Sequence, residues 1–257
     1  MKNKILNFSK RNLIEMTRDP LSYIFCVAFP IVMLVIMTIV NSSIPAESGM
    51  TIFRLDNLSG GIAVFGQTFV MLFTAIIVTK DRSGSFLTRL FASPMKSSDF
   101  TGGYILPMVI VAFVQVIIAF AASMIISLIG GFELNPAGLL AASVTVLPSA
   151  VMFIAIGLIF GTIFNEKAAP PLCSIIISLG SIIGGIWFDV EGVGGFMEKL
   201  SKCLPFIYST KVARAAIQTD FSADEFFIPL LIVTGSAAIL TLLAALVFKR
   251  KMRADLS

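Results

Sequence analysis

Six long runs without a charged residue divide this chain. They lie near residues 21–40, 60–79, 104–129, 138–164, 171–188 and 227–248, and none of them contains Asp, Glu, Lys or Arg. A helix of about 20 apolar residues crosses a hydrocarbon core of roughly 30 Å. The runs do not alternate as the strands of a membrane barrel do, and a helix satisfies its own backbone in lipid. The pattern predicts an all-α integral membrane protein with six transmembrane helices in one domain, residues 21–248.

Composition and charge support this prediction and orient the chain. Of the 257 residues, 57% are hydrophobic and 13% are charged, about half the charged fraction of a soluble domain. Fourteen of the 19 Lys and Arg residues fall on one side of the six predicted spans: five in 1–20, four in 80–100, one in 165–170 and four in the basic tail 249–257. Because basic residues accumulate on the cytoplasmic side, both termini are predicted to be cytoplasmic.

The first twenty residues are basic and amphipathic. At about 100° per residue, apolar residues share one arc, and most of the charged residues share the other, with Ile14 as an exception. This pattern predicts an interfacial helix over 1–20 that lies in the headgroup plane with its apolar face toward lipid. A cleaved signal peptide is the alternative, but the basic region is long and the first apolar run exceeds an ordinary signal core. The residues assigned to the interfacial helix are Ile5, Phe8, Leu13, Met16 and Arg18.

A second amphipathic segment, 80–100, lies between spans two and three. Phe86, Leu87, Leu90 and Phe91 repeat at helical spacing, and Gly84 and Pro94 bracket them. Such a cytoplasmic helix offers its apolar face to the groove of a partner. The alternative is a connector that lies on the membrane surface.

Two pairs of glycines have the spacing that allows transmembrane helices to approach closely. They are Gly157 with Gly161 and Gly180 with Gly184. Both pairs are predicted to lie at helix contacts.

Several kinds of chemistry are missing from the sequence. The chain has no histidine, its three cysteines form no CxxC motif, and no Gly-Lys pair of a phosphate-binding loop occurs. These absences argue against histidine-based catalysis, a metal site and ATP hydrolysis by this chain. The predicted spans also contain no acidic residue of the kind that ion-coupled carriers use, so energy for transport is expected from elsewhere.

Two other function classes remain open from the residues alone. An ATPase-independent channel or carrier needs polar residues along a pathway, and a non-transporting assembly or sensor subunit needs none. Polar residues in the spans more often bond neighbouring helices. The modest candidates for a pathway are Gln67, Thr68, Thr74, Gln115 and Ser123.

Three blocks of the sequence resemble the permease subunit of type-2 ATP-binding cassette exporters, a group that includes bacterial drug and polyketide efflux permeases. They are RDPL at 18–21, KDRSGSFLTRLFASP at 80–94 and CLPFIYSTKVAR at 203–214. Two positions differ from the common pattern of that family. Asp81 stands where members often carry Glu, and Phe188 is followed by Asp rather than Pro.

The resemblance implies the role and the partners of the chain. It implies a multi-pass permease of the bacterial cytoplasmic membrane that exports a hydrophobic or amphipathic drug, antibiotic, peptide or lipid. Its partners are two cytoplasmic ATPase subunits, which carry ATP and Mg, and a second permease copy, identical or a sibling. The chain itself binds no cofactor, no nucleic acid is implied, and it is not an enzyme by itself. The implied coupling residues are Asp81, Arg82, Gly84, Phe86, Leu87, Arg89, Leu90, Phe91 and Pro94.

The loop between spans five and six, 189–226, is long and carries its own apolar residues. It is predicted to form a re-entrant hairpin that caps an extracellular exit, with an ordinary exposed loop as the alternative. The residues assigned to this gate are Pro205, Tyr208 and Arg214.

Overall fold

The computed structural model describes residues 2–45, 49–84, 86 and 97–254, and among these residues it contains helices and no strand. The helices are α1 (Lys2–Arg18), α2 (Pro20–Ser43), α3 (Leu55–Ser83), α4 (Ser97–Gly130), α5 (Pro136–Thr145), α6 (Leu147–Ile163), α7 (Ala169–Ile183), α8 (Val190–Val193), α9 (Gly195–Cys203), α10 (Pro205–Gln218) and α11 (Ile228–Ala254). A π-turn, Ile24–Ala28, lies within α2, and another, Ala223–Phe227, precedes α11.

Five helical stretches in the described part of the chain are long and apolar enough to cross a membrane. They are α2, α3, α4, the α5–α6 pair and α11 with its preceding π-turn. The remaining predicted span, 171–188, is the shorter helix α7, whose 15 residues extend about 22 Å at 1.5 Å per residue. Five of the six predicted spans are thus found, and α7 falls short of the length required for the sixth.

The helices form a bundle around α3. Nearly every residue of α3 from Leu58 to Val78 is buried, because α2, α4, α6, α7 and α10 pack around it. By contrast, α2 and α11 bury few of their apolar side chains inside the bundle. A helix that is apolar on its outward faces is typical of contact with lipid.

Small residues allow α6 to approach α3 closely. A Cβ atom added to Gly157 would lie 2.3 Å from the carbonyl oxygen of Met71, and one added to Gly161 would lie 2.7 Å from Cβ of Val78. The second glycine pair, Gly180 with Gly184, faces Phe206 of α10 and not α3. A Cβ at Gly180 would meet Phe206 at an ordinary 3.8 Å, and Gly184 follows the last residue of α7.

Helices α8–α10 lie at the end of the bundle opposite α1, called the far end. Most of α10 is buried and packs against α3 and α5. A Cβ at Gly138 of α5 would lie 2.0 Å from the carbonyl oxygen of Ile217, and Gln218 Nε2 donates to Oδ1 of Asn57 over 2.8 Å. Within 189–226, the segment Pro205–Gln218 is therefore a packed helix rather than an exposed loop.

Candidate functional site

The N-terminal helix α1 is packed on α4. The ring of Phe8 lies over Gly103, where an added Cβ would be 2.3 Å from Cδ1 of that ring, and it contacts the ring of Tyr104 at a centroid distance of 4.9 Å. Asn12 Nδ2 donates to the carbonyl oxygen of Gly103 over 3.1 Å. Glycine at 103 thus leaves the space that α1 fills.

This packing corrects one expectation from the sequence. The predicted lipid-facing arc contains Phe8 and Met16, and both are buried within the protein. Ile5 and Leu13 are half-buried, while Arg18 is exposed. The physical reason at Phe8 is that α4 offers a glycine surface there, so its ring is covered by protein and not by hydrocarbon.

The block RDPL explains how α1 passes into α2. Asp19 stands before the first residue of α2, and its side chain accepts a hydrogen bond from the backbone N–H of Leu21 over 3.2 Å. Pro20 occupies the first helical position, where its missing N–H costs nothing. Aspartate and proline at these two positions start the helix.

A buried carboxylate lies at the last turn of α3. Asp81 accepts hydrogen bonds from Arg11 Nη1 over 2.6 Å and from the Tyr104 hydroxyl over 2.7 Å. Arg11 also pairs with Glu15 over 2.7 Å. Burial lowers the pKa of Arg11, but the hydrogen bond and negative charge of Asp81 outweigh it, so the pKa is raised above its ordinary value. Arg11 therefore stays charged, as the buried carboxylate requires.

The neighbours of Asp81 are each bonded to a different part of the bundle. Lys80 Nζ lies 3.3 Å from Oε1 of Glu15, and Ser83 Oγ donates to Oε2 of Glu166 over 3.1 Å.

Arg82 is bonded to the end of α6. Its Nη1 donates to the carbonyl oxygens of Gly161 and Phe164, each over 3.0 Å. A cation at a helix C-terminus also interacts favourably with the helix dipole. We call residues 80–83 the α3 junction, because they link α3 to α1, α4, α6 and the turn after α6.

The structure covers part of the predicted coupling segment. Gly84 follows α3, and its N–H bonds to the carbonyl oxygen of Lys80 over 3.0 Å. Phe86 is half-buried, lies under Arg11 with Cζ 4.3 Å from the ring centroid, and stacks near Phe8 at 6.4 Å. Its ring therefore faces α1, whereas the sequence pattern placed it on a face for a partner. The predicted residues Leu87, Arg89, Leu90, Phe91 and Pro94 lie outside the described residues.

Comparison with known families identifies the fold that carries this junction. The family model described as "ABC-2 type transporter" matches residues 4–217, which run from α1 to the last turn of α10. The chain belongs to the ABC-2 type transporter family. No curated protein matches the chain.

Membership defines the general role of this ABC-2 chain. It is a multi-pass membrane protein, and its family supplies the permease subunit of an ATP-binding cassette transporter, which works with an ATPase subunit. Helix α11 follows the matched region. The α3 junction lies within the matched residues 4–217, as do the blocks RDPL and CLPFIYSTKVAR.

The predicted gate residues of the ABC-2 permease lie at its far end. Arg214 donates from Nε to the carbonyl oxygen of Asn57 over 3.0 Å and from Nη2 to that of Gly185 over 2.8 Å. The Tyr208 hydroxyl donates to the carbonyl oxygen of Lys202 over 2.9 Å, and Pro205 is the first residue of α10. Arg214 thus joins α10 to the start of α3 and the end of α7.

Sequence analysis missed most of the partners at the α3 junction. Arg11 and Glu15 lie on the charged arc predicted for α1, and Tyr104 is the first residue of the apolar run 104–129, where the pattern gives it no bonded role. One signal in the sequence points to them: the pair Gly102-Gly103 beside Tyr104 marks a place where another element comes close.

Proposed function

We propose that this ABC-2 permease exports a hydrophobic or amphipathic substrate from a bacterial cell, driven by two separate cytoplasmic ATPase subunits. The observation that carries the proposal is the α3 junction, where four consecutive residues at the start of the coupling segment bond to α1, α4, α6 and Glu166. The family match supplies the class of machine. A second permease copy, identical or a sibling, completes the proposed transporter.

The junction suits the transfer of movement from an ATPase. Helix α3 ends at Ser83 and α4 begins at Ser97, on either side of the coupling segment, and Asp81 in the last turn of α3 is bonded to Tyr104 near the start of α4. A displacement of the segment therefore acts on α3 and α4 together, and through Arg11 on α1. Rigid helices with bonded ends transmit such a displacement when their packing has two discrete states.

A channel or carrier without an ATPase receives less support. Four of the five polar residues in the spans that were candidates for a pathway are bonded inside the bundle, and Gln115 is the exception in the described part of the chain. Gln67 Nε2 donates to the carbonyl oxygen of Val146 over 3.1 Å, and Ser149 Oγ donates to Gln67 Oε1. The hydroxyls of Thr68, Thr74 and Ser123 donate to carbonyls of their own helices.

Loss of the ATPase is the expected result of charging the coupling segment. The variant Leu90→Asp should fail to retain a co-expressed cassette ATPase when the tagged permease is purified, because the proposed apolar docking face would carry a carboxylate. The measurement is the ratio of ATPase to permease after size-exclusion chromatography, together with ATP turnover.

A matched control separates docking from general damage. Phe196 in α9 is exposed at the far end, so Phe196→Asp adds the same single charge as Leu90→Asp to an exposed apolar residue and should leave ATPase binding unchanged. Full retention of the ATPase by Leu90→Asp would contradict the proposed coupling segment, provided that the variant elutes as the wild type does.

Labelling of Cys203 tests the proposed orientation. Cys203 is exposed at the far end, whereas Cys26 and Cys173 are buried. A membrane-impermeant maleimide should therefore label the wild type in intact cells, and Cys203→Ser should remain unlabelled. In the Cys203→Ser background, Lys10→Cys in α1 should be labelled only after the cells are permeabilised. Labelling of Lys10→Cys in intact cells, without labelling of Cys203, would place α1 outside the cell. That result would reject the proposed orientation, in which six helices cross the membrane and both termini are cytoplasmic.

A further inference from the structure

A pocket with charged and polar walls opens at the far end. Its volume is about 270 Å³, and it lies between α10, the end of α7 and the residues around the start of α3. The α10 residues that line it fall three or four positions apart, so one face of α10 forms a wall of the pocket. They include Ile207, Thr210, Lys211, Arg214 and Gln218.

The wall on α10 carries two cations. The Lys211 side chain is 21% exposed, and its Nζ lies 3.6 Å from Oε2 of Glu225, which is longer than a charge-assisted hydrogen bond of about 2.8 Å. Arg214 is half-buried and donates to the backbone carbonyls of Asn57 and Gly185. Cationic side chains of this kind also donate to phosphate, so this wall favours an anionic group.

Three carboxylates line the same pocket and are exposed to solvent: Asp189, Asp220 and Glu225. The backbone holds two of them in place. Oδ1 of Asp189 accepts from the N–H of Gly192 over 3.0 Å, and Oδ1 of Asp220 accepts from the N–H of Ser222 over 3.1 Å. In both aspartates, Oδ2 can accept from a further donor. The pocket therefore offers acceptors for a cation beside donors for an anion.

A smaller, apolar pocket adjoins the charged one. Its volume is about 240 Å³, and Phe188 and Val190 line both pockets. The other lining residues are apolar as well: Ile182, Val193 and Met197. Phe188 and Val193 are 54% and 69% exposed, as is typical of side chains that meet lipid or a partner. A charged pocket and an apolar pocket with a shared wall fit a molecule that has a charged head and an apolar tail.

We propose that the far end binds a zwitterionic phospholipid whose head group carries a primary ammonium, as in phosphatidylethanolamine. The phosphate lies beside Lys211 and Arg214, the ammonium lies beside the exposed carboxylates, and part of an acyl chain fills the apolar pocket. The inference requires only that the far end lies at a membrane surface. It does not depend on the proposed transport function, because binding needs neither an ATPase nor movement of the lipid.

The lining distinguishes this head group from two others. The quaternary ammonium of choline has no N–H to donate and is bound by cages of aromatic rings, whereas Phe188 is the one aromatic residue among the described residues that line the charged pocket. Phosphatidylglycerol has a phosphate but no cation, so the carboxylates would repel it. Ethanolamine satisfies both charges.

Trp187 allows the lipid preference to be measured directly. It is the only tryptophan of the chain and precedes Phe188, and bromine atoms on a nearby acyl chain quench its fluorescence. The purified full-length chain is placed in phosphatidylcholine nanodiscs with a tryptophan-free scaffold, and lipids with identical brominated chains are added at low fractions. Brominated phosphatidylethanolamine should quench at a fraction about 3- to 10-fold lower than the choline or glycerol lipid, the effect of one or two partly exposed ion pairs.

A pair of carboxylate variants tests the ammonium contacts. Asp189→Asn/Asp220→Asn removes two charges but keeps Oδ1 for Gly192 and Ser222, so it should abolish the preference for ethanolamine over choline. Glu133→Gln/Asp224→Asn removes two charges at exposed positions outside the pocket and should retain that preference. Equal quenching by the three lipids in the wild type, or an unchanged preference in Asp189→Asn/Asp220→Asn, would overturn the proposal.

Two further measurements test the phosphate and the acyl chain. Lys211→Met should narrow the difference between brominated phosphatidylcholine and brominated diacylglycerol, which has no phosphate, and Lys199→Met, at an exposed position outside the pocket, should not. An unchanged difference in Lys211→Met would reject the phosphate contact. Soluble glycerophosphoethanolamine at millimolar concentration should not relieve the quenching. If it did, the pocket would bind the free head group and the lipid would be the wrong ligand.

Discussion

Arg11→Met is expected to lower the free energy of unfolding by roughly 2–3 kcal/mol, somewhat less than removal of one partner from a fully buried ion pair. The variant leaves the Asp81 carboxylate, whose side chain is 2% exposed, with Tyr104 as its remaining donor among the described residues. Methionine keeps an apolar stem over Phe86, so the loss reports the charge. The measurement is unfolding by SDS titration in mixed micelles, together with ATP turnover of the assembled transporter.

A double-mutant cycle assigns this loss to the pair. Asp81→Asn should cost less than Arg11→Met, because Arg11 keeps Glu15 as a partner and is partly exposed. The double variant Arg11→Met/Asp81→Asn should cost less than the sum of the two single variants by about 1–3 kcal/mol. Lys10→Met, at an exposed position of the same helix, is the matched control. A similar loss in Lys10→Met, or strict additivity in the cycle, would contradict a structural role for the Arg11–Asp81 pair.

Gly157→Ala is expected to lower the free energy of unfolding by about 3 kcal/mol, the upper part of the range for overpacking. The added methyl group would lie 2.3 Å from the carbonyl oxygen of Met71 and 3.0 Å from Cβ of Thr74. A backbone oxygen cannot rotate away as a side chain does, so α6 and α3 must separate. The same SDS titration measures the loss, and size-exclusion chromatography detects variants that fail to fold.

Two glycines in less crowded places provide controls for this prediction. Gly235 in α11 has no atom within 4 Å of an added Cβ, and Gly180 has its nearest neighbour at 3.8 Å. Alanine is favoured over glycine in a helix by about 1 kcal/mol, so Gly235→Ala and Gly180→Ala should be neutral or stabilising. If Gly157→Ala were as stable as these two variants, the close contact between α6 and α3 would be wrong.

The sequence predicts the crossing helices well because hydropathy and charge act on every residue of a span. Its prediction of where α3 ends is less accurate. The uncharged run stops at Thr79, yet α3 continues to Ser83 because Lys80, Asp81 and Arg82 find partners in other helices. Hydropathy alone cannot show those partners, since each lies in a distant part of the sequence.

The two amphipathic segments show a second limit of prediction from the sequence. Periodicity correctly gives α1 a buried arc that contains Phe8 and Met16, but it cannot tell lipid from protein as the cover. Periodicity likewise cannot show that the ring of Phe86 contacts α1 and not a partner protein. In both cases the residue that covers the apolar side chain decides whether it faces protein or lipid. Phe8 of α1 is covered by the bare backbone at Gly103, and Phe86 is covered by the guanidinium of Arg11.

The shortness of α7 has a consequence for the membrane around the far end. A helix that stops about 8 Å short of a full crossing would leave its final carbonyls without donors in hydrocarbon. Thr210 and Arg214 of α10 donate to the carbonyls of Gly184 and Gly185, so protein takes the place of water there. Lipid beside α7 would contact a shorter apolar surface than elsewhere on the bundle. A molecule that leaves the protein at that point would therefore cross the thinnest part of the hydrocarbon core.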